Sequence, residues 1–426
     1  METINEHIAS PLLERFLRYV KIWSTSSVAL ADQGIIPSTE CQRDFARILE
    51  TELRALGVDD VHVTDHAYVC ARLPATKGYE HLPSVGFLAH MDTAENVSGK
   101  GVNPQVIPSY DGLPISLKEG VVLDPTLDPY LRQSIGETII TTDGTTLLGA
   151  DDKAGVASIM TAIDILLNGQ DALGGTDSII EDIPHGQIEV IFNPDEETGH
   201  GMDKVPLDWL QSKHCYTLDG GHIGELEIEC FTAYKSHLTF TGKAKHTGTS
   251  RPDMINAVTM ASTFVAMLPQ NESPEATDGY LGFYAPMNIN GQMEQATVTL
   301  YHRDFTDEGM KRRTSSVDVF AKAIEHKFPG SRVEVVHTKQ YKNMKEVLDK
   351  HPHVAEKLFE SARKLGLEPV CNPIRGGTDG SRLTEMGIPT PNMFAGGHNF
   401  HSRSEWASLD QMTYAVRMIL ELVKEK

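Results

Sequence analysis

Residues 149–169 read GADDKAGVASIMTAIDILLNG, and the fold class turns on this stretch. Val156, Ile159, Met160, Ile163 and Leu167 recur at i, i+3, i+4, i+7 and i+11, which predicts a helix after Asp152 that stops at Asn168-Gly169. Short β-rich runs lie on either side: Val85-Gly86-Phe87-Leu88-Ala89 before it, then Ile188-Glu189-Val190-Ile191-Phe192 and Tyr216-Thr217-Leu218 after it. Strands alternating with helices in this way predict an α/β domain on a mixed, largely parallel sheet.

From about residue 235 to 338 the rhythm changes. Ser236–Thr241 alternates as a strand, Met254–Leu268 reads as a helix, and two strands flank Asn290-Gly291, a hairpin-turn dipeptide. A helix at Glu308–Lys327 and a strand at Arg332–His337 complete a ferredoxin-like βαββαβ unit. The α/β pattern then resumes, with a helix near 353–365, strands near 368–374 and 390–394, and a closing helix from Leu409. The expected organisation is one α/β domain split into 1–225 and 340–426, with the smaller unit inserted at 226–339.

The 426 residues carry 38 Lys plus Arg against 59 Asp plus Glu, a formal net charge of −21, which disfavours nonspecific binding to nucleic acid or an anionic membrane. No uncharged apolar run reaches the ~18 residues of a membrane span, and the N-terminus shows no secretory pattern. Cys41, Cys70, Cys215, Cys230 and Cys371 are odd in number, scattered and without a Cys-x-x-Cys pair. A cytoplasmic chain with reduced thiols is the expectation.

Five short stretches place His, Asp and Glu just after predicted strands, where ligands collect in open α/β sheets. They are His90-Met91-Asp92-Thr93, Gly149–Gly155, Asn193–Gly199, Leu218–Gly221 and Gly396–Ser402. Each has a plain reading by itself: a surface turn for His90-Met91-Asp92, a helix N-cap for Asp151-Asp152, a solvated acidic turn for Asp195-Glu196-Glu197. Together, two histidines and three carboxylates suit a pair of zinc-type cations, because imidazole and carboxylate match borderline-hard metals and no thiolate takes part. Two dications against three carboxylates and one hydroxide also balance in charge. Such a pair acidifies a shared water, and of the neighbours Glu196 and Glu197 one can ligate while the other serves as general base. His90 and Asp92 share a face of an extended segment, so Asp92 can fix the His90 tautomer; the plain alternative is a turn cap.

The ordered set HMDT, GADDKAG, NPDEETG, LDGG, IRGGTDG and GGHNFH resembles the co-catalytic zinc aminopeptidase family that includes carboxypeptidase G, aminoacylase and succinyl-diaminopimelate desuccinylase. The resemblance covers nearly the whole chain, including PSTE at 37–40 and HNFHSRSEW at 398–406, and is closest to members that act on tripeptides. It implies one zinc on His90 and Asp219, a second on Glu197 and His401, Asp151 bridging both, Glu196 as base and proton shuttle, and Asp92 orienting His90. It implies a cis peptide at Asp151-Asp152. The inserted unit would be a lid that in many relatives also forms a homodimer.

The same resemblance implies that His246 steadies the oxyanion, although Thr247 stands where the family usually has proline. Arg375, just before a helix, is assigned to the peptide's C-terminal carboxylate, with Arg303 as a second candidate; a structural ion pair is the alternative for each. Residues 169–187 read as a surface loop longer than in relatives, and His222 and His398 stand near proposed ligands where the family does not expect histidine. The expected function is a two-zinc aminopeptidase that releases the N-terminal residue of short peptides, tripeptides foremost. A related dipeptidase or N-acyl amino acid deacylase would use the same metals. A non-catalytic binding relative would have lost the base that Glu196 supplies.

Overall fold

The helix read at 149–169 runs over Ala150–Asn168 in the computed structural model, which describes residues 2–169, 172 and 183–424. Its residues Ala154–Ile163 are all buried, because it is the central helix of its layer, packed against the helices Glu2–Tyr19 and Leu409–Val423 and against the strand Val85–His90. Gly155 makes this approach possible: a Cβ there would stand 2.2 Å from the carbonyl oxygen of Leu218. The proposed loop at 169–187 lies largely outside the described residues.

Seven strands form the main sheet in the order Asp60–Val63, Val69–Leu73, Ile188–Asn193, Val85–His90, Cys215–Gly220, Asn392–Phe394, Leu226–Glu227. Val85–His90 pairs in parallel with both Ile188–Asn193 and Cys215–Gly220, and Asn392–Phe394 extends the parallel part, while the outer pairings are antiparallel. Every residue of Val85–His90 and Ile188–Asn193 is buried, as expected of parallel strands covered on both faces. A second, four-stranded antiparallel sheet includes Gly397–His398 and Trp406–Ser408, and the loop joining these two carries His401.

The chain divides into two compact units. The larger comprises Met1–Ile228, Val347–Cys371 and Thr378–Lys426; the smaller comprises Glu229–Glu346 and Asn372–Gly377. In the smaller unit, strands Phe283–Gly291, Gln295–Asp304, Thr232–Thr241 and Arg332–Tyr341 lie side by side in that order, all antiparallel. With the helices Ala257–Met267 and Asp307–Lys327 this is the expected βαββαβ topology. Gln295–Asp304 alternates buried and less buried positions, and its inward residues Val298 and Leu300 meet Met260, Phe264, Val317 and Ile324 of the helices.

Three local expectations are corrected. The hairpin turn falls at residues 292–294, beyond Asn290-Gly291, which are still paired with Thr297 and Ala296. Gly291 is required there by contact, since a Cβ would come within 2.4 Å of Ala296 Cα. No strand forms at 368–374, where only Val370 and Ile374 make isolated bridges; Pro369 and Pro373 break the run of donors. The strand expected at Arg332–His337 runs on to Tyr341, which carries the smaller unit past residue 339. Among the described residues no helix is long and apolar enough to cross a membrane.

Candidate metal centre

The carboxyl ends of the parallel strands bring the dispersed motifs together. His90 ends Val85–His90, Asp219 lies in Cys215–Gly220, and Glu196 and Glu197 follow Ile188–Asn193. Asp151 precedes the regular part of the central helix, and His401 hangs from the loop of the small antiparallel sheet with φ +58. Two trios result: His90, Asp151 and Asp219, and Asp151, Glu197 and His401, with the donor atoms of each lying within 4.8 Å of one another. His90 Nε2 lies 2.8 Å from Asp151 Oδ1 and 3.6 Å from Asp219 Oδ1. His401 Nε2 lies 3.1 Å from Asp151 Oδ2 and 2.8 Å from Glu197 Oε1. Asp151 thus offers one oxygen to each trio.

The donor set fits metal ions. Glu197 Oε1 is buried and forms no hydrogen bond despite its short distance to His401 Nε2, so two lone-pair atoms point at a common position rather than at each other. The His90 tautomer fits as well: Nδ1 lies 3.1 Å from the main-chain oxygen of Asp92, which can only accept, so neutral His90 carries its proton on Nδ1 and presents a bare Nε2 to the trio. Burial pushes Glu197 up to about 7 and Asp219 up to about 6. The carboxylates of Asp151 and then Glu197 raise His401 to about 10. These shifts are those of a buried acidic cluster that needs positive charge.

Asp92 does more than the sequence suggests. Its Oδ1 is 3.4 Å from His90 Nδ1, farther than its own main-chain oxygen, and its carboxylate accepts the amides of Glu196 at 3.0 Å and Glu197 at 3.2 Å. Both oxygens of this fully buried residue therefore hold the turn that carries the two glutamates. Asp151 and Asp152, joined by a cis peptide, divide their labour. Asp151 faces the trios, while Asp152 accepts the amides of Gly155 at 3.1 Å and His90 at 3.2 Å, so the capping alternative holds for the second aspartate only. Burial and then Asp219 hold Glu196 well above the usual carboxylate range.

Glu405, inside the HNFHSRSEW stretch, was not singled out by sequence reasoning. Buried, it accepts the amides of Leu148 at 2.7 Å, Gly149 at 2.9 Å and Asp151 at 3.2 Å, which fixes the loop bearing the aspartate shared by the two trios. Ser38 and Gln42, which hold Asp195, were missed too, although Ser38 lies in the PSTE stretch. His398 and His222 belong to an aromatic stack: His398 lies on Trp406 with centroids 3.9 Å apart and bonds Gln411 at 3.0 Å, and His222 lies on Tyr130 at 4.4 Å. Neither is in a trio.

The three remaining candidates lie in the smaller unit. His246 is exposed, and its Nδ1 accepts the amide of Gly248 at the turn Thr247–Thr249. Arg303 donates to the carbonyls of His302 and Tyr234 and to Gln340 Oε1, and lies over the rings of Tyr301 and Tyr341. Arg375 has its four terminal N–H groups taken by Gly279 O, Leu281 O, Thr277 O and Thr277 Oγ1 at 2.7–3.1 Å. Its partners here are neutral oxygens, neither a carboxylate nor an ion-pair partner.

The sequence profile of peptidase family M20/M25/M40 matches residues 149–425. A peptidase T of Clostridium perfringens is 44% identical over 411 residues, covering 96% of this chain and 98% of that protein. The crystal structure of aminopeptidase PepT from Bacillus cereus superposes with a TM-score of 0.72 at 23% identity, over 97% of this chain and 98% of that one. A dinuclear metal-binding peptidase of the M20 family from Bacillus subtilis superposes with a TM-score of 0.61 at 14% identity, over 98% of both chains.

Proposed function

The chain belongs to peptidase family M20/M25/M40, and on that premise we propose that it is a two-zinc aminopeptidase that releases the N-terminal residue of short peptides, tripeptides foremost. The observation that carries this reading is the pair of donor trios sharing Asp151, in a chain 44% identical to a peptidase T over nearly its full length. His90 and Asp219 would hold one ion, Glu197 and His401 the other, and Asp151 both. Two divalent cations there supply acidification of a shared water, from a pKa of about 15.7 toward ~7, and polarisation of the scissile carbonyl.

The chain's own residues do the rest. Glu196 accepts the water's proton and returns it to the departing amine. Its amide is held by Asp92, so the base and the ligand Glu197 are presented from one fixed turn. The Nδ1–H of His90 donates to the Asp92 carbonyl, which keeps the proton on Nδ1 and Nε2 available. We assign the oxyanion contact to His246, to be tested by a fall in kcat in His246→Ala. A homodimer through the smaller unit, whose sheet ends in the strands Phe283–Gly291 and Arg332–Tyr341, is testable by sedimentation velocity. The proposed compartment is the cytoplasm.

The deciding experiment is hydrolysis of free tripeptides, dipeptides and N-acyl amino acids by zinc-loaded and chelator-stripped protein. Tripeptide cleavage from the amino end, lost on chelation and restored by zinc, is expected. Preferential cleavage of dipeptides or acylated amino acids would replace this reading with a dipeptidase or a deacylase.

A further inference from the structure

We propose that Gln42 and Ser38 are positioning residues for the reaction: through Asp195 they set the backbone from which Glu196 acts, an inference that rests on Glu196 being the general base. Asp195 is fully buried and has φ +59, a left-handed conformation uncommon for a residue with a side chain. Its carboxylate is wholly engaged. Ser38 N donates to Oδ2 at 2.7 Å, Ser38 Oγ donates to Oδ1 at 2.5 Å, and Gln42 Nε2 donates to Oδ1 at 2.7 Å. In return Asp195 N donates to Gln42 Oε1 at 3.0 Å. One buried amide therefore grips both the main chain and the side chain of a single residue, closing a ring of two hydrogen bonds.

The grip continues along the chain. Asp195 N is taken by Gln42, Glu196 N by Asp92 Oδ1 and Glu197 N by Asp92 Oδ2. Three consecutive amides at the start of the glutamate turn are thus held by side chains from two other elements, the helix Glu40–Leu56 and the segment after the strand Val85–His90. The helix has ample apolar anchorage of its own in Phe45, Ala46, Leu49 and Leu53. Its buried Gln42 is a polar addition to that apolar face, also within 3.3 Å of Ser38 Oγ and 3.2 Å of Thr39 Oγ1, and an unpaired amide there would be costly. What the amide determines is one peptide geometry, at the residue before the base. Ser38 Oγ also accepts the amide of Ser27 at 2.8 Å, which ties the lock to the segment leading into the helix Val28–Ala31, itself packed on the turn Glu196–Thr198. If Asp195 relaxed to negative φ, the direction of Glu196 would swing away from the trios, and misplacement of a reacting group by about 1 Å can cost ~100-fold in rate.

The test uses full-length, zinc-loaded protein and a free tripeptide. Asp195→Gly leaves positive φ accessible but removes the carboxylate; Gln42→Met keeps the volume and removes the ring. Each variant is expected to lose about 100-fold in kcat with KM within about threefold of the parent, and to keep its zinc by elemental analysis. The double variant is expected to be no slower than the worse single one, because both break the same lock. Rates within about twofold of the parent in both single variants, a loss that follows missing zinc, or losses that multiply in the double variant would each overturn the proposal. Glu196→Gln run alongside separates the two readings. Activity retained there means the base assignment has failed; an inactive Glu196→Gln beside a fully active Asp195→Gly means that only the lock has failed.

Discussion

Asp92 holds Glu196 by its main chain, Oδ1 to amide nitrogen at 3.0 Å, while its own carbonyl receives Nδ1 of the ligand His90 at 3.1 Å. On the proposed assignments, one buried residue thereby couples a metal ligand to the general base. Asp92→Asn would turn an amide N–H toward the amide of Glu196 or of Glu197, donor against donor. We expect zinc affinity to fall about 10- to 100-fold. With zinc restored to saturation, kcat should still be reduced. Full recovery of kcat at saturating zinc would show that Asp92 serves the ligand only.

Chelation should make stability depend on pH in a definite direction. Without metal, burial raises Glu197 to about 7, and Asp151 and Glu197 raise His401 to about 10. For both groups the folded value lies above the unfolded one. The stability they contribute is thus present at low pH and is lost as pH rises, between about 4.5 and 7 for Glu197 and between about 6.5 and 10 for His401. The Tm of stripped protein should therefore fall from pH 5.5 to pH 8.5, at roughly these trial values chosen to span the window. Zinc-loaded protein should not show that fall, because bound cations take over the compensation. Parallel thermal melts decide; a stripped protein that gains stability with pH would contradict the donor clusters.

Glu405→Ala leaves three amide groups unmatched beneath the loop that carries Asp151. The expected cost is roughly 2–4 kcal/mol in stability, with zinc affinity down by about 10- to 100-fold. Urea unfolding and a competitive zinc chelator measure the two separately. Unchanged affinity would mean that the loop keeps its shape without this carboxylate.

Arg375→Ala should act on stability. Its four bonds to carbonyl and hydroxyl oxygens of residues 277–281 predict a lower Tm and an intact preference for free tripeptides over their C-terminal amides. If the variant instead melts normally and no longer distinguishes the two, the guanidinium meets the substrate carboxylate after all.

His398→Phe should leave the zinc content unchanged. The ring stacks on Trp406 and bonds only Gln411, so the expected loss is about 1 kcal/mol for that hydrogen bond. A fall in bound zinc would place His398 among the ligands.

The residues that meet in the two trios could be read from the sequence because their chemistry and their position after β-rich runs coincide, and a parallel sheet gathers the carboxyl ends of its strands. The helix at 149–169 and the βαββαβ order were legible for a similar reason, since periodicity reports local geometry. What escaped depends on contacts remote in sequence. Gln42 and Asp195 are 153 positions apart, and Glu405 reaches back 257 positions to Leu148, so nothing local marks them as partners. Arg375 escaped differently: the sequence shows a guanidinium before a helix but not that its donors are already taken. The pairs Asp92-His90 and Asn290-Gly291 show a third limit, in which the residues are right but the atom or register that acts lies one step away.

The sharing of the main sheet between distant parts of the chain sets an order on synthesis. Asn392–Phe394 inserts between Cys215–Gly220 and Leu226–Glu227, and His401 follows it, whereas His90, Asp151, Glu197 and Asp219 all emerge from the ribosome much earlier. A nascent chain halted before residue 392 contains all of His90, Asp151 and Asp219 but lacks His401 of the other trio. His401, the last of the five donors in the chain, is therefore the one whose trio waits longest for completion. A chain ending before residue 392 would hold Glu196 and four of the five donors yet lack the second trio.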